Sequence, residues 1–457
     1  MSPGNLAFTL AAFALALGIL IIVHEFGHYV AARAIGVKVL RFSLGFGRPL
    51  WLKRLGRDRT EWAIAAFPLG GYVKMLDERE GPVAAHELPR AFNRQSVGKR
   101  FLVVAAGPLA NLLLAILIYW LLFMHGTAAL RPLLAAPPAA TAAAAAGLKD
   151  GDAVRAVDGK RVMSWEEMRW ELIQSVLAHP VVTLEVENRQ HEIALRRLDT
   201  GALNAADPAP DLPQRLGLVP YRPPLPPVVG EVTKASAAEE AGIRAGDRFT
   251  AVAGQPVSDW REVAAMIRAS PGRLLKFDLL RQGQRIALQA RPAAVEEGGR
   301  RIGRLGIMAQ DDPSLRAQML TTVRYDALPA LGHATRQTWS TSVLSLRMIG
   351  RMISGEASWK NLSGPVTIAD YAGQSARLGW SHYLSFLALI SISLGVLNLL
   401  PIPILDGGHL LYYMAEIIKG GPLPERVMEI GQQIGLGLLI MLMAFAFYND
   451  INRLVSG

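Results

Sequence analysis

The 457-residue sequence contains no cysteine. Its absence excludes a disulfide framework and any thiolate metal site, so a metal ion could be held only by nitrogen and oxygen ligands. Charged residues are also scarce, at 19% of the chain, whereas hydrophobic residues make up 51%. Together with a mean hydropathy of +0.25, this composition is typical of a membrane protein with substantial aqueous parts.

Acidic residues are outnumbered by basic ones, 38 against 48, which gives a formal net charge of +10. A basic chain can bind nucleic acid, but the position of the cations argues against it here. Fourteen of them lie between Arg33 and Arg100, in the segment between the first two apolar stretches. Such a loop marks the cytoplasmic side of a membrane protein. We therefore expect the lipid bilayer, and no nucleic acid, as the partner of these charges.

A long uncharged stretch over residues 6–23 leads directly into His24-Glu-Phe-Gly-His28. On a helix, positions four apart share a face, so both imidazoles can bind one metal ion while Glu25 reaches its bound water. A match to H-E-x-x-H can arise by chance, and a histidine on an apolar face is more often a core residue. Ionisable groups cost about 2.5–3.5 kcal/mol each at the centre of a membrane helix, so their presence favours a functional site.

Four apolar stretches predict membrane-spanning helices, at residues 1–34, 101–124, 383–403 and 434–448. The first has no Lys or Arg in its first five residues, and cleavage after it would discard the histidine motif, so we expect it to be retained. With the basic loop inside, both termini and the segment between the second and third spans lie outside. Residues 313–382 are predicted as amphipathic helices and residues 404–433 as a cytoplasmic loop.

Residues 35–100 form the basic loop, in which short β-forming segments alternate with Gly and Pro. This pattern predicts small strands and hairpins, with residues 68–75 as one such segment. One interpretation is a strand edge that pairs with an extended substrate. The other is an ordinary cytoplasmic loop near the membrane, and the sequence favours neither.

An internal repeat lies in the soluble segment: residues 145–159 align with residues 240–254 at an offset of 95 (242 − 147). The shared pattern A-G-(L/I)-x-x-G-D-x-(V/F)-x-x-V-x-G resembles PDZ domains of the circularly permuted bacterial kind. We therefore predict two tandem PDZ domains, over residues 127–221 and 222–312, joined by a proline-rich spacer. The pair could gate the entry of substrates by size, or its grooves could bind a newly exposed C-terminus.

A carboxylate far downstream completes a possible metal site. Asp406 follows the third span among aliphatic residues, and the third span has the same predicted direction as the first. Two histidines, one carboxylate and an open position are a catalytic zinc pattern. His409 is the rival ligand. Asn398 could hold a substrate backbone or make a helix-packing hydrogen bond.

The combination of the H-E-x-x-H helix, the Asn398 to Asp406 motif, the Gly-Tyr-Val-Lys-Met hairpin and paired PDZ domains resembles the bacterial site-2 protease family. The resemblance implies that His24, His28 and Asp406 bind Zn²⁺ and that Glu25 is the catalytic base. It further implies that substrate is engaged by Asn398 and by a hairpin made of Gly70, Gly71, Tyr72, Val73, Lys74 and Met75. The implied substrates are single-span proteins, such as an anti-sigma factor or remnant signal peptides, that a site-1 protease has already trimmed.

The predicted fold class is thus a multi-pass α-helical membrane protein of about four spans, in a bacterial inner membrane. It carries two extracytoplasmic PDZ domains and a small membrane-associated β-hairpin region, with the active site near the cytoplasmic side. Two other functions are open at this point. The chain could be a membrane PDZ scaffold with an inactive metal site, or a transporter that uses His24, Glu25 and Asp406 as a proton relay.

Overall fold

A computed structural model describes residues 3–201, 212–297, 300–355 and 364–456. It divides into two compact units. Unit 1 comprises residues 1–127 and 324–457, and unit 2 comprises residues 128–323.

Unit 1 is mainly helical, and within the described residues four of its helices are long and apolar enough to cross a membrane. These four are α1 (Pro3–Ala34), α2 (Val97–His125), α11 (Trp380–Asn398) and α13 (Glu425–Ser456). The other described helices of this unit are a 3₁₀ turn (Leu88–Arg90), α9 (Ala327–Ile353), α10 (Pro365–Arg377) and α12 (Asp406–Lys419).

The helix bounds differ from the apolar stretches in the sequence for identifiable reasons. Helix α13 extends beyond residues 434–448 at both ends, because hydropathy detects only the apolar part of a helix whose ends are polar. Helix α11 ends at Asn398 and not at residue 403, since Pro401 lacks an N–H and disfavours helical backbone in the residue before it. The predicted loop over residues 404–433 contains helix α12.

The core of unit 1 lies where α1, α2 and α11 pack together around buried aliphatic side chains such as Leu20, Leu122 and Ile392. Small residues bring the helix backbones close. A Cβ on Gly27 of α1 would lie 2.4 Å from the carbonyl oxygen of Ala106 in α2. Only glycine fits such a crossing, which is a common way for membrane helices to associate.

Unit 1 also contains a sheet formed by two long strands, β1 (Val39–Leu55) and β2 (Thr60–Met75). Different stretches of these two strands pair with each other. Residues 39–44 pair with residues 71–75 on one side and with residues 61–64 on the other, and residues 49–55 pair with 60–65. Residues 71–75 therefore form one edge of the sheet. No strand among the described residues pairs with the outer side of that edge.

Unit 2 contains two four-stranded antiparallel sheets with the same strand order. The first copy consists of α3 (Ala142–Ala145), β4 (Ala153–Val157), β5 (Lys160–Arg161), α4 (Trp165–Ala178), β6 (Val181–Glu187) and β7 (Ile193–Asp199). The second consists of α6 (Ala237–Glu240), β9 (Arg248–Val252), β10 (Gln255–Pro256), α7 (Trp260–Arg268), β11 (Leu275–Arg281) and β12 (Gln284–Ala290). The strand order is β5-β4-β6-β7 in the first copy and β10-β9-β11-β12 in the second. Helices α3 and α6, like strands β4 and β9, begin 95 residues apart (237 − 142 and 248 − 153), which is the offset of the sequence repeat.

Shorter elements complete unit 2. Strand β3 pairs with β16, β8 with β15 and β13 with β14. Their bounds, with those of two short helices, are β3 (Thr127–Leu130), α5 (Leu212–Arg215), β8 (Val229–Val232), β13 (Ala293–Glu297), β14 (Arg300–Arg304), β15 (Ile307–Ala309), α8 (Pro313–Met319) and β16 (Leu320–Val323).

The second copy contains an ion pair between a buried carboxylate and a partly exposed arginine. The side chain of Asp247 is 1% exposed and accepts two hydrogen bonds from the guanidinium of Arg281, at 2.7 and 2.8 Å. It also accepts the backbone N–H of Arg244 at 2.8 Å. Burial alone would raise the pKa of Asp247, but the Arg281 guanidinium and the Arg244 N–H together lower this pKa below its usual range.

We expect Asp247→Asn to destabilise the second copy by about 2 kcal/mol, because it removes the charge that accepts the hydrogen bonds of the Arg281 guanidinium and the Arg244 N–H. Amide hydrogen exchange of β11 in the full-length protein measures this loss. Because the folded-state pKa of Asp247 is depressed, its stabilisation is present above about pH 3.9 and is lost as the pH falls toward the folded-state value. The variant should lack this acid dependence.

The matched control is Asp152→Asn in the first copy, where the carboxylate accepts the backbone N–H of Lys149 at 2.9 Å. We expect a loss nearer 1 kcal/mol there, confined to exchange in β4 and β6. Equal losses at the two positions would contradict the importance assigned to the Asp247–Arg281 pair.

Candidate metal centre

Helix α1 places His24 and His28 one turn apart on the same face. Both residues are buried, at 9% and 8% exposure, and their ring centroids are 4.9 Å apart. The two Nε2 atoms point toward each other at a distance of 3.2 Å. This follows from the four-residue spacing of the motif, which brings side chains to adjacent positions along a helix.

Asp406 joins the two histidines from the first turn of α12. Its Oδ2 lies 3.1 Å from His24 Nε2 and 3.6 Å from His28 Nε2. One ligand atom from each of the three residues lies within 4.8 Å of the others. The structure thus brings together the three residues that the sequence predicts as ligands.

The donor set fits a tetrahedral zinc ion. Bonds of about 2.0–2.1 Å in that geometry place ligand atoms about 3.3–3.4 Å apart, and the separations of 3.1, 3.2 and 3.6 Å bracket this value. His28 Nδ1 lies 2.8 Å from the carbonyl oxygen of Val103. A carbonyl can only accept, so Nδ1 carries the proton and Nε2 presents a lone pair to the site.

The backbone before Asp406 determines where its carboxylate lies. A Cβ on Gly407 would lie 2.1 Å from the carbonyl oxygen of Leu400, and one on Gly408 would lie 2.5 Å from that of Ile402. Neither glycine has a positive φ. Both glycines therefore serve for the close approach of two backbone segments. The positive φ, 99°, belongs to Ile404, a β-branched residue for which this region is strained.

Residues of helix α2 contact both histidines, and the sequence did not reveal these contacts. A Cβ on Gly107 would lie 2.2 Å from His28 Nε2, so glycine is needed there to make room for the ring. Asn111, fully buried, lies with its amide 3.2 Å from His24 Nδ1. The sequence feature that could have pointed to Asn111 is a polar residue within an apolar helix.

Glu25 of α1 lies beside the donor cluster, and its side chain contacts the edge of the β1–β2 sheet. A Cβ on Gly71 would lie 2.9 Å from Glu25 Cγ and from a methyl carbon of Ile21. Both Glu25 and the edge strand line a cavity of about 740 Å³ that also contains the three donors. The cavity therefore brings a carboxylate, a metal-binding set and a strand edge to one space.

The other predicted residues lie around the same space. The Nδ2 of Asn398 is 3.5 Å from His24 Nε2. Gly71, Tyr72, Val73, Lys74 and Met75 line the cavity, whereas Gly70 has a φ of 127° and lies against Phe46. His409, the rival ligand, lines the cavity but is outside the donor cluster found among the described residues.

A buried ion pair connects the helix of Asp406 to α2. Arg100 donates to the carboxylate of Glu416 at 2.8 Å, and their side chains are 14% and 7% exposed. The same guanidinium stacks over the ring of Tyr413 at 4.8 Å. Because α12 begins with Asp406, these contacts help fix the position of the carboxylate relative to the histidines.

Two imidazoles, a carboxylate and an adjacent glutamate between membrane-length helices define a membrane metallohydrolase. Comparison with known proteins identifies the family: the chain belongs to Peptidase family M50, the site-2 proteases, whose family model matches residues 12–442. It is accordingly an enzyme, a zinc metalloprotease of the site-2 type.

Relatives of this chain cover its full length. It is 45% identical over 449 residues to a Neisseria meningitidis protein named "Putative zinc metalloprotease", with 98% of this chain and 100% of the relative covered. It is 42% identical over 452 residues to the regulator of sigma-E protease RseP of Escherichia coli, with 97% and 98% covered. Among solved structures, a PDZ domain from Listeria monocytogenes aligns with 18% of this chain and 84% of that domain, at 19% identity and a TM-score of 0.16.

We expect the purified protein to bind one zinc ion, and we expect Asp406→Ala or His24→Ala to lose it, because each change removes one of three donors. Metal analysis after dialysis against a weak chelator measures this. His409→Ala is the matched control, since it changes a cavity residue outside the cluster and should retain zinc. Loss of zinc from the His409 variant, with retention in the Asp406 variant, would contradict the ligand set.

Proposed function

We propose that this protein is an intramembrane protease that hydrolyses a peptide bond within the membrane segment of single-span proteins. One observation carries the proposal: His24, His28 and Asp406 converge beside Glu25 in a cavity whose wall is a strand edge. A scaffold or a transporter has no need for a strand edge next to a metal-binding set. An extended peptide bound to that edge would lie beside the catalytic groups.

In the proposed reaction, His24, His28 and Asp406 hold zinc, which when bound supplies an activated water and polarises the scissile carbonyl. Glu25 accepts a proton from the water as the water oxygen attacks the carbonyl carbon. Glu25 then delivers that proton to the nitrogen of the leaving amine as the C–N bond breaks. The second proton of the water passes from the new carboxyl group to the amine, so the products are a carboxylate and an ammonium group, and one water is consumed for each bond cleaved.

A membrane helix hides its peptide bonds, so the substrate must unwind before it can be cut. The edge formed by Gly71–Met75 offers backbone groups that replace the hydrogen bonds lost on unwinding. Asn398, at the end of α11 and beside His24, is placed to hold the substrate backbone near the scissile bond. The resemblance implied a hairpin over Gly70–Met75, whereas these residues belong to the single strand β2. We therefore assign substrate binding to its edge, Gly71–Met75, with Gly70 beside it against Phe46.

We further propose that the two copies in unit 2 are tandem PDZ domains on the extracytoplasmic side of a bacterial inner membrane. The repeated strand order supports a duplicated module. The basic segment between α1 and α2 supports a cytoplasmic location for the β1–β2 sheet of unit 1. The similarity to proteins named regulator of sigma-E protease supports an anti-sigma factor, trimmed first by a site-1 protease, as a substrate. Remnant signal peptides are the second substrate class.

Glu25→Gln should lower the rate of cleavage of a pre-trimmed single-span substrate in proteoliposomes by at least about 100-fold, because the base that accepts the proton is lost. The variant should still insert in the membrane and bind zinc, since Glu25 is outside the donor set. Cleavage at the wild-type rate by this variant would exclude Glu25 as the base, whereas absence of cleavage by the wild-type protein would favour the scaffold.

Asn398→Ala should lower kcat/KM by about tenfold or more, through the loss of one hydrogen bond to the substrate backbone. Zinc content should not change. Leu397→Ala, at an exposed neighbouring position of α11, is the matched control and should cleave normally. If the Asn398 variant instead loses zinc with no change in the KM of the reconstituted enzyme, the residue acts on the metal site and not on substrate.

A further inference from the structure

Asn111 is a polar side chain buried beside the donor cluster, at 0% exposure in the middle of α2. Its Nδ2 lies 3.2 Å from His24 Nδ1. Its Oδ1 is buried without a hydrogen-bond partner in the part of the chain that the structure describes. An amide with one end on a metal-binding histidine and the other end unpaired requires an explanation.

The orientation of the amide determines which nitrogen of His24 carries the proton. If Nδ2 donates to Nδ1, the proton of a neutral His24 lies on Nε2, the atom that faces His28 and Asp406. Turning the amide by 180° places Oδ1 where Nδ2 was, so that Nδ1–H donates and Nε2 presents its lone pair. This rotation leaves Nδ2 without a hydrogen-bond partner instead of Oδ1, so the number of hydrogen bonds does not distinguish the two orientations of the amide. The ligand geometry does, because Nε2 must be unprotonated to bind a metal.

His28 shows the same arrangement without ambiguity, because Val103 contributes a backbone carbonyl at 2.8 Å from Nδ1. Both acceptors lie on α2, eight residues or about 12 Å apart. Helix α2 thus has an acceptor facing each histidine of α1.

Further contacts hold this part of α2 in place. The hydroxyl of Ser391 in α11 donates to the backbone carbonyl of Asn111 at 2.7 Å. Gly107, between the two acceptors, gives the His28 ring its space. The acceptors are therefore fixed by packing among three helices and not by the histidines alone.

We propose that α2 orients both metal-binding histidines: Asn111 Oδ1 accepts from His24 Nδ1–H, and the Val103 carbonyl accepts from His28 Nδ1–H. Both Nε2 lone pairs then face the ligand position before the metal arrives. Asn111 is a positioning residue that acts through His24. This inference rests on the proposed zinc site.

The test measures zinc affinity of the full-length protein in detergent, by competition with a chelator of known affinity. Asn111→Ala removes the acceptor and should weaken zinc binding by about 10- to 100-fold. Asn111→Asp retains an acceptor but no donor, so its affinity should lie within about threefold of wild type. If Asn111→Asp loses as much affinity as Asn111→Ala, or if Asn111→Ala binds as wild type does, the inference is overturned.

Two comparisons separate this role from a general packing role. Asn111→Leu, of similar volume and without an acceptor, should lose zinc as the alanine variant does, and it replaces that variant if alanine prevents folding. Leu113→Ala, at an exposed position of α2 two residues away, leaves the Asn111 amide in place and should bind zinc with wild-type affinity. A loss in the Leu113 variant equal to that in Asn111→Ala would overturn the inference.

The same series distinguishes failure of this inference from failure of the proposed function. Wild-type protein that binds no zinc overturns both. Wild-type protein that binds zinc and cleaves substrate, with an unchanged affinity in Asn111→Ala, overturns only the role of Asn111. Co²⁺-substituted protein adds a second readout, because loss of the correct His24 orientation should shift the visible absorption of the Asn111→Ala variant and leave that of Asn111→Asp close to wild type.

Discussion

The approach of Asp406 to His24 and His28 is the contact on which the rest of unit 1 depends. A carboxylate and two imidazoles buried among apolar helices are costly unless they are paired or bind a cation. Their separations, 3.1 to 3.6 Å, match the ligand spacing of a tetrahedral zinc site. The surrounding glycines, the strained Ile404 and the Arg100–Glu416 pair can each be understood as means of holding these three side chains together.

Close packing around the site is achieved mainly by removing side chains. Gly27 lets α1 and α2 cross, Gly107 makes room for the His28 ring, and Gly407 and Gly408 let α12 lie against the backbone that precedes it. Each is a position where a single methyl group would collide with backbone or with a ligand. The catalytic geometry therefore depends on residues that have no chemistry of their own, and larger side chains at these positions would act on the metal site indirectly.

The H-E-x-x-H motif could be predicted from the sequence because its geometry is local: a four-residue spacing in an uncharged stretch determines both the helix and the shared face. Asp406 could be predicted because an acid among aliphatic residues is costly without a partner. The residues of α2 could not, since Gly107 and Asn111 acquire a function only when another helix brings the histidines to them. Helix α12 was missed because two glycines and a preceding Pro-Ile-Pro segment weaken every local helix signal.

The central claim is that one zinc ion is held by donors from both ends of the chain. An experimental structure of the full-length protein, with anomalous scattering recorded at the zinc edge, tests it most directly. The account predicts a single strong peak at about 2.0–2.2 Å from His24 Nε2, His28 Nε2 and one oxygen of Asp406. A peak coordinated by other residues, or the two histidines turned away from Asp406 in zinc-loaded protein, would contradict it.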